Sequence, residues 1–481
     1  MTQGTGASAP ARGFLLDGRW LAEGERFEIH APYDGSVVGS AWRATRAHLD
    51  AAIGAATRAF DDTRKMPACE RQRILQTVSA AVAARREELA RVLVLEAGKP
   101  IKAARAEVER AIFTFSLAAE ESTRIVGEWL PLDLQAATAG RWAIVRRFPI
   151  GPIASITPFN FPVNLVAHKW GPAIAAGCSI VHKPAPQTPL CSLLLAEMVA
   201  EAGWPAGALN VLPLSNEDAA QMVSDERLKL LSFTGSAAVG WELKRRAGKK
   251  RVALELGGIA GCIIHRDADL AYAAERCVFG GFSYAGQSCI SVQRVFVERS
   301  VHENFLSEFV PRVQKLKLGA PLDEATDVGP MISEDAARRA AEWIDEAVAG
   351  GARGLCGGKR AGAMLEPTVL TGTKPEQRVN CMELFAPALC VEPYDDVFEA
   401  MRQVNASEYG LQAGLFTRDM ALAFAAYDAL EVGGVILNDV PTFRIDHMPY
   451  GGVKDSGTGR EGIRYAIEDM TERKLLAVNL R

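Results

Sequence analysis

The spacing of apolar residues changes along the chain and predicts hairpins, long helices and α/β units in turn. Residues 15–38 alternate short apolar runs with Gly-containing and Pro-containing turns, which is typical of strands and hairpins. From residue 44 to about 124 the apolar positions follow a helical period, with a break at 98–100. The stripe that indicates this period consists of Ile74, Val78, Val82, Leu89 and Leu93.

Short apolar strands then alternate with helices, which is the pattern of a parallel α/β architecture. The predicted strands of this unit are 153–156, 179–182, 208–212, 230–233 and 251–256. The predicted helices are 164–176, 189–203, 216–224 and 237–247. A second unit with the same alternation follows from 258 to 449.

Two strand patterns stand outside these units. Residues 128–152 alternate around a short turn at 136–140 and predict a long β-hairpin. Residues 475–480 form an apolar strand with no obvious partner nearby. Because open sheet edges seldom stay unpaired, we expect these strands to pair between subunits.

Length and composition narrow the class of protein. A chain of 481 residues is expected to hold two or three domains. A net charge of −4 with 23% charged residues gives no reason to expect nucleic acid or an anionic membrane as a partner. The nine cysteines are scattered without a CxxC pair, so neither a disulfide framework nor a metal site is predicted. The polar start predicts a frayed tail and no signal peptide, and no apolar run reaches transmembrane length, so we expect a soluble cytoplasmic protein.

One cysteine stands in a distinctive setting, within FGGFSYAGQSCISVQRVFV at 279–297. Cys289 follows a Gly-Gln-Ser approach that we expect to be flexible. An alternating run follows, which predicts a strand with one buried face: Ile290, Val292, Val295 and Val297. A thiol presented before a strand can be reached by a substrate and by a base, as nucleophilic catalysis requires. The alternative is that Cys289 is one small buried hydrophobe among nine cysteines.

Loops that follow parallel strands are where such folds bind ligands, and two of these loops carry side chains suited to acyl chemistry. Asn160 lies between two prolines after the strand 153–156, and its amide is a candidate donor to a developing oxyanion. Glu255 precedes Gly257 and Gly258 at an apolar strand end, where partial desolvation would raise its pKa toward that of a general base. The alternatives are a turn-forming asparagine and a salt-bridged glutamate.

Two further loops suit a nucleotide. Lys183 precedes a proline-rich loop and could reach a ribose hydroxyl or a phosphate. Gly235 and Ser236 open a helix whose N–H groups could bind a pyrophosphate. The loop at 233–240 does not carry a G-x-G-x-x-G fingerprint, so an ordinary Rossmann domain is not predicted.

Taken together, these segments resemble the aldehyde dehydrogenase superfamily over nearly the whole chain. The shared segments, in order, are PFNFP around Asn160, Lys169, Lys183, FTGS at 233–236, LELGG at 254–258 and GQSC at 286–289. MELFAP at 382–387 is similar to the family's EIFGP element, and PYGGVKDSG at 449–457 is similar to its PFGGxKxSG loop.

The resemblance implies the fold, the domains and the assembly. We expect two parallel α/β domains, a variant Rossmann cofactor domain formed by 1–127 and 147–256 and a catalytic domain at 257–465. A small β oligomerisation unit would comprise 128–146 and 466–481. A homodimer or homotetramer is implied.

The resemblance also implies catalytic roles. Cys289 would attack the aldehyde as a thiolate, and Asn160 with the Cys289 N–H would hold the oxyanion of the thiohemiacetal. Hydride transfer to the nicotinamide would leave a thioester, and Glu255 would activate the water that hydrolyses it. Lys169 would support the active-site loop.

NAD or NADP is the implied cofactor. Glu383 would bind the nicotinamide ribose, with Phe385 beside the ring, while Lys183 would bind the adenosine ribose and Ser236 the pyrophosphate. The other residues expected to contact the cofactor are Thr157, Pro158, Phe159 and Gly235. NAD-preferring members usually carry a glutamate three residues past the lysine, where this chain has Pro186. Both cofactors are therefore expected, with a lean to NADP.

The resemblance also implies where the substrate binds. An apolar tunnel is expected to be lined by Phe113, Phe161, His168, Ser288, Ile290, Phe443 and Arg444. Arg444 and His168 could meet an anionic or hydroxylated tail, although Arg444 could instead form a structural ion pair. The segments CISVQR and NDVPTFRIDHMPYGG look most like the branch that contains lactaldehyde and phosphonoacetaldehyde dehydrogenases, which favours a small polar aldehyde or semialdehyde.

Other functions stay open at this point. Members that pass the acyl group to coenzyme A typically lack the base of the LELGG element, so the presence of Glu255 favours hydrolysis. A catalytically silent protein on this fold would be expected to have lost Cys289, Glu255 or Asn160, and all three are present. An esterase acting through Cys289 would need no nucleotide site.

Overall fold

A computed structural model describes residues 11–479. The first ten residues, expected to form a frayed tail, and the last two lie outside this range. Strands and then long helices form the first part of the described chain, as predicted. These elements are β1 (Ala11–Arg12), β2 (Phe14–Leu16), β3 (Arg19–Leu21), β4 (Glu25–His30), β5 (Val37–Arg43), α1 (Arg46–Thr63), α2 (Ala68–Ala84), α3 (Arg86–Ala97) and α4 (Ile101–Ser122). The predicted break at 98–100 is confirmed, because Gly98 ends α3 in the left-handed conformation.

The hairpin and the first α/β unit follow, close to their predicted bounds. Their elements are β6 (Glu128–Pro131), β7 (Arg141–Pro149), β8 (Ile153–Ile156), α5 (Asn164–Ala176), β9 (Ile180–Lys183), α6 (Pro189–Glu201), β10 (Leu209–Val211), α7 (Ala220–Ser224), β11 (Leu230–Thr234), α8 (Ala237–Arg246) and β12 (Arg251–Glu255). Strands β10, β9, β8, β11 and β12 lie parallel in that order. Their carboxyl ends therefore meet at one edge of the sheet, where the predicted ligand loops begin.

The second unit forms a seven-stranded sheet in the order β15-β18-β19-β14-β13-β21-β22. The elements of this part are β13 (Ala260–Ile264), α9 (Leu270–Phe282), β14 (Val292–Glu298), α10 (His302–Gln314), α11 (Glu334–Ala349), β15 (Arg353–Cys356), β16 (Arg360–Ala361), β17 (Met364–Leu365), β18 (Thr368–Thr371), α12 (Arg378–Cys381), β19 (Ala388–Tyr394), α13 (Val397–Asn405), β20 (Tyr409–Gly410), β21 (Gln412–Phe416), α14 (Met420–Ala429) and β22 (Gly434–Leu437). Only residues 256–259 separate this sheet from β12.

The strand after Cys289 differs from its prediction. Every residue of β14 is buried, so the expectation of one buried face is wrong, and Ile290 precedes the strand. β14 lies between β13 and β19, both parallel to it, in the middle of its sheet. Parallel sheets are covered on both faces, which removes the polar face that an edge or antiparallel strand would show.

The last part of the chain returns to the first unit. Its elements are β23 (Val453–Lys454), β24 (Gly457–Thr458), α15 (Ile463–Asp469) and β25 (Thr471–Asn479). β24 joins the first sheet beside β12, although it lies in the segment predicted to be catalytic, and the domain boundaries stay a prediction. β25 pairs with β7 of its own chain over nine residues, from Thr471 opposite Pro149 to Asn479 opposite Arg141. β25 thus has a partner strand in its own chain, which the separation of the two strands in sequence hides, and pairing between subunits stays a prediction.

Residues 11–479 contain neither a helix that could span a membrane nor a cluster of metal-ligating side chains. No helix there is long and apolar enough to cross a membrane. No group of three or more His, Cys, Asp or Glu side chains in the same range is arranged to hold a metal ion.

Candidate active site

A cavity of about 500 Å³ opens where the carboxyl ends of the first sheet face the start of β14. Thirteen of the predicted site residues line it: Pro158, Phe159, Asn160, Phe161, Gly235, Ser236, Glu255, Ser288, Cys289, Ile290, Glu383, Phe385 and Arg444. The first sheet contributes Asn160 and Glu255, while Cys289 comes from the segment before β14 of the second sheet. The predicted nucleophile, base and oxyanion donor are thus brought together in one cavity.

The segment that leads to Cys289 is not the flexible approach that we expected. Tyr284 and Ala285 both adopt left-handed backbone conformations, with φ of 51° and 52°. Gln287 is fully buried, and its side-chain oxygen accepts a hydrogen bond of 2.8 Å from the Ile332 N–H. Strained backbone is kept only where the surroundings hold it, so this turn presents the thiol from a fixed position.

The Cys289 thiol has a hydroxyl partner. Its Sγ lies 2.9 Å from the Oη of Tyr450, a residue that sequence reasoning placed in a motif but not in the site. Burial raises the pKa of Cys289 to about 12, against the opposing effects of this hydrogen bond and of the Arg444 charge. The thiol therefore depends on nearby donors and positive charge to ionise.

Asn160 lies where its side chain can face both the cavity and the Cys289 turn. Its Nδ2 donates to the main-chain carbonyl of Gln287 at 3.1 Å, while its Oδ1 is buried without a partner. The amide is therefore held close to the segment that carries the thiol.

A buried ion pair, Lys99 with Glu107, holds the main chain of Asn160. Lys99, in the break between α3 and α4, donates to the Asn160 carbonyl at 2.8 Å and pairs with Glu107 of α4. Glu107 in turn accepts hydrogen bonds from the N–H groups of Val163 and Asn164 at 2.9 and 3.1 Å. This ion pair fixes both ends of the 160–164 segment at the start of α5.

Glu255 is buried at the end of β12, and its Oε2 has no hydrogen-bond partner. Burial and then the charge of Glu461 raise its pKa well above the usual value, while Arg444 and Lys169 act in the opposite direction. Lys169 does not line the cavity. It donates to Ser232 at 3.0 Å and pairs with Glu461 at 3.5 Å, so it lies behind the base.

Arg444 fits both of the alternatives left open by its sequence. It forms an ion pair of 2.8 Å with Glu461, and it also lines the cavity with a buried Nε that has no partner. Its guanidinium lies 3.7 Å from the ring centroid of Tyr450. Sequence reasoning missed Arg110, which lines the same cavity from α4.

Three residues predicted to contact the substrate do not line this cavity. His168 is buried and bonds through Nε2 to Asp446 at 2.8 Å, which also pairs with Arg110 at 2.6 Å. Phe113 and Phe443 are 46% and 39% exposed and lie outside the cavity lining. The resemblance placed His168 and Phe113 near the site, but it cannot tell which side chain occupies the intervening space.

The comparisons with known proteins agree with this geometry. A profile of the aldehyde dehydrogenase family matches residues 20–476. The chain belongs to the aldehyde dehydrogenase family. It is 42% identical to a 3-sulfolactaldehyde dehydrogenase from Priestia aryabhattai, over 97% of this chain and 98% of the other. A lactaldehyde dehydrogenase from Methanococcus aeolicus is 38% identical over 97% of this chain and 100% of the other.

Solved aldehyde dehydrogenase structures confirm the fold. Aldehyde dehydrogenase 21 from Physcomitrella patens, in complex with the reaction product succinate, superposes with a TM-score of 0.97 at 46% identity, covering 98% of this chain and 99% of that one. Glyceraldehyde-3-phosphate dehydrogenase from Methanocaldococcus jannaschii, complexed with NADP, gives 0.92 at 38% identity, covering 95% and 100%.

The residues of this aldehyde dehydrogenase fit a dinucleotide, the cofactor of its family. Ser236 precedes α8 without a side-chain cap, which leaves the first N–H groups of that helix open to the cavity. Thr234 has a buried hydroxyl without a partner. The Lys183 ammonium is buried at the end of β9, and no described residue forms a hydrogen bond or ion pair with it. Burial lowers its pKa to about 8.

The residues predicted to contact the nicotinamide, Glu383 and Phe385, line the same cavity. Glu383 accepts a hydrogen bond of 3.0 Å from the Gly258 N–H, and burial raises its pKa to about 7. Phe385, with a φ of 51°, packs edge-to-face on Phe159 with ring centroids 6.0 Å apart. Thr157 is buried outside the cavity lining, like Lys183.

Proposed function

We propose that this aldehyde dehydrogenase oxidises a small anionic aldehyde to the carboxylic acid with NAD(P)⁺, through a covalent intermediate on Cys289. The single observation that carries the proposal is that Cys289, Asn160 and Glu255 line one cavity. NAD(P)⁺ bound beside Glu383 and Phe385 would supply the hydride acceptor.

The chemistry assigned to the chain has three parts. The Cys289 thiolate attacks the aldehyde carbonyl, and Asn160 with the Cys289 N–H donates to the oxyanion. After hydride loss the acyl group remains as a thioester. Glu255 takes a proton from water, which then releases the acid, and a carboxylate with a strongly raised pKa is suited to hold that proton.

An anionic substrate is supported by two arginines of the cavity. Arg110 and Arg444 both line it, and the buried Nε of Arg444 lacks an acceptor. The named substrates and products of similar proteins include sulfolactaldehyde and succinate, which carry a sulfonate or a second carboxylate. Guanidinium groups bind such oxyanions with charge-assisted hydrogen bonds.

The chemistry at Lys183 supports use of both cofactors, with a lean to NADP. Pro186 is exposed three residues beyond Lys183, where NAD-preferring members usually carry glutamate, so no carboxylate from that position opposes a 2′-phosphate. A preference for NAD above about a hundredfold in kcat/KM, roughly 2.7 kcal/mol, would contradict this part of the proposal.

We further propose a cytoplasmic homodimer or homotetramer. β25 and β22 are the outer strands of their sheets, and β25 shows mostly exposed residues along its length. Unpaired edges of this kind suit pairing between subunits. Sedimentation velocity would test the assembly, and a monomer at micromolar concentration would contradict it.

The deciding experiment measures NAD(P)H formation at 340 nm with succinic semialdehyde, lactaldehyde, 3-sulfolactaldehyde and propanal. We expect turnover with the anionic aldehydes, a free acid as product with or without coenzyme A, and none with Cys289→Ala. Arg444→Ala should raise KM selectively for the acidic aldehydes. An acyl-CoA product would favour the acyl-transferring alternative. The absence of turnover with every aldehyde and both cofactors would favour a silent protein.

A further inference from the structure

The hydroxyl of Tyr450 contacts the predicted nucleophile directly. The ring is 2% exposed, and its Oη lies 2.9 Å from Cys289 Sγ. Among residues 11–479, no other side chain forms a hydrogen bond with this sulfur or this hydroxyl. Tyr450 belongs to the PYGG segment, which the sequence analysis noted only for its resemblance to a family loop.

Burial opposes ionisation of the Cys289 thiol most strongly, and four side chains from three parts of the chain strengthen or weaken this effect. Tyr450 and Arg444 favour the thiolate, while Glu255 and Glu383 oppose it. Arg444 stacks on the Tyr450 ring and is fixed there by Glu461. A guanidinium over the ring draws electron density from the phenol and makes its O–H a better donor.

We propose that Tyr450 is a catalytic residue, whose hydroxyl donates a hydrogen bond to the Cys289 thiolate and stabilises the nucleophilic form. The inference rests on the proposed function, because it takes Cys289 as the nucleophile. A thiolate carries no proton, so the hydroxyl must be the donor. Burial raises the pKa of Tyr450 well above its usual value, so the phenol keeps its proton while the thiol loses its own.

Tyr450 keeps its proton while the Cys289 thiol ionises and attacks the aldehyde. The thiol proton leaves to water in the cavity, and the Tyr450 hydroxyl then points to the negative sulfur. A sulfur lone pair forms the bond to the aldehyde carbon, and the carbonyl π electrons move to the oxygen. Tyr450 therefore acts before and during attack, whereas Asn160 acts on the charge that the attack creates.

Alkylation of Cys289 tests the inference without any aldehyde. Full-length wild type and Tyr450→Phe are treated with iodoacetamide between pH 6 and 10, and modification of the Cys289 peptide is followed by mass spectrometry. Phe keeps the ring under Arg444 and removes only the hydroxyl. Cys69 and Cys381 are exposed in the same molecule and serve as internal references for reagent and folding.

We expect Cys289 of Tyr450→Phe to ionise at least about one pH unit higher than in wild type, with alkylation at pH 7 slowed about tenfold or more, as the loss of a hydrogen bond to a charged group implies. kcat/KM at pH 7 should fall by a similar factor. Tyr409→Phe is the matched control, because Tyr409 lines the same cavity with no hydrogen bond to the sulfur. Its Cys289 profile should match that of wild type.

Coincident pH profiles of Cys289 alkylation for wild type and Tyr450→Phe would overturn the inference. Faster alkylation in the variant would also overturn it, because Tyr450 would then stabilise the protonated thiol. If the variant melts below the assay temperature, 3-fluorotyrosine introduced at position 450 replaces it in the test. The more acidic phenol is a stronger donor, so Cys289 should then ionise at a lower pH than in wild type and be alkylated faster at pH 7. Wild-type protein that oxidises no aldehyde would defeat the proposed function instead, while the alkylation profiles would still decide the role of Tyr450.

Discussion

Lys99 and Glu107 form an ion pair in which each side chain is only 1% exposed, and the same ammonium holds the main-chain carbonyl of Asn160. The ammonium also lies 3.7 Å from the ring centroid of Phe161 and 4.3 Å from that of Tyr284. These contacts join the oxyanion loop to the turn that carries Cys289. Two buried charges thus help to fix the position of Asn160 relative to the Cys289 turn.

Replacing Lys99 by Met should destabilise the protein by about 3–5 kcal/mol, because Glu107 is left as a buried charge without a partner. Urea unfolding measures the change, and kcat should fall with little change in cofactor KM as Asn160 loses its support. Lys102→Met, at an exposed position of α4, is the control and should change neither quantity. A Lys99→Met/Glu107→Gln double variant should regain part of the stability, and no gain would contradict the ion-pair explanation.

Replacing Glu255 by Gln should separate acylation from hydrolysis. We expect a burst of NAD(P)H close to one equivalent per active site, followed by steady-state turnover slowed by about 10²–10⁴ because the water lacks its base. Rapid quench and intact-mass measurement should show the acyl group on the enzyme. An equal loss of burst and turnover would instead place Glu255 in the activation of Cys289.

Introducing a carboxylate beside Lys183 should change the cofactor preference. Pro186→Glu is expected to raise KM for NADP by about tenfold or more and to leave KM for NAD unchanged or lower, since the carboxylate accepts from a 2′-hydroxyl and repels a 2′-phosphate. Gln187→Glu adds the same charge at the next exposed position and is the matched control. Equal effects of the two variants would indicate a general charge effect.

The Glu383 carboxyl should cost stability at neutral and alkaline pH. Its pKa is raised by burial from 4.5 to about 7 in the folded protein, so its cost is absent below pH 4.5 and grows as the pH rises to 7. Above pH 7 the cost is constant at about 3 kcal/mol. Glu383→Gln should therefore be more stable than wild type at pH 8 and similar near pH 4.5, as measured by urea unfolding. The same variant should bind the cofactor more weakly.

The sequence predicts those parts of the site that follow from local pattern. Lys183 and Glu255 end parallel strands and Asn160 lies in the loop after one, and such strands end at a common edge whatever the details of packing. Tyr450 and Glu461 could not be placed in the same way. Tyr450 contacts Cys289, and Glu461 contacts Lys169, although both partners lie far away in sequence. The segment that holds Tyr450 and Glu461 returns to the first sheet as β24.

The predictions that failed for β14 and His168, and the omission of Lys99, have the same physical origin. Residue spacing gives the face of a helix or strand on which a side chain lies, but not what covers that face. Both faces of β14 are covered, and His168 contacts Asp446 and Arg444 without lining the cavity itself. Lys99 stood in the predicted break at 98–100, but a lysine beside glycine and proline gives no sign of a buried partner.

The four residues between β12 and β13 span at most about 14 Å when extended, and they tie Glu255 to the sheet that presents Cys289. The ends of β12 and β13 therefore cannot separate by more than this length. We expect the enzyme to act as a preformed receptor that selects aldehydes by size and charge. Free and product-bound crystals should then superpose at this junction without a rigid-body rotation between the sheets.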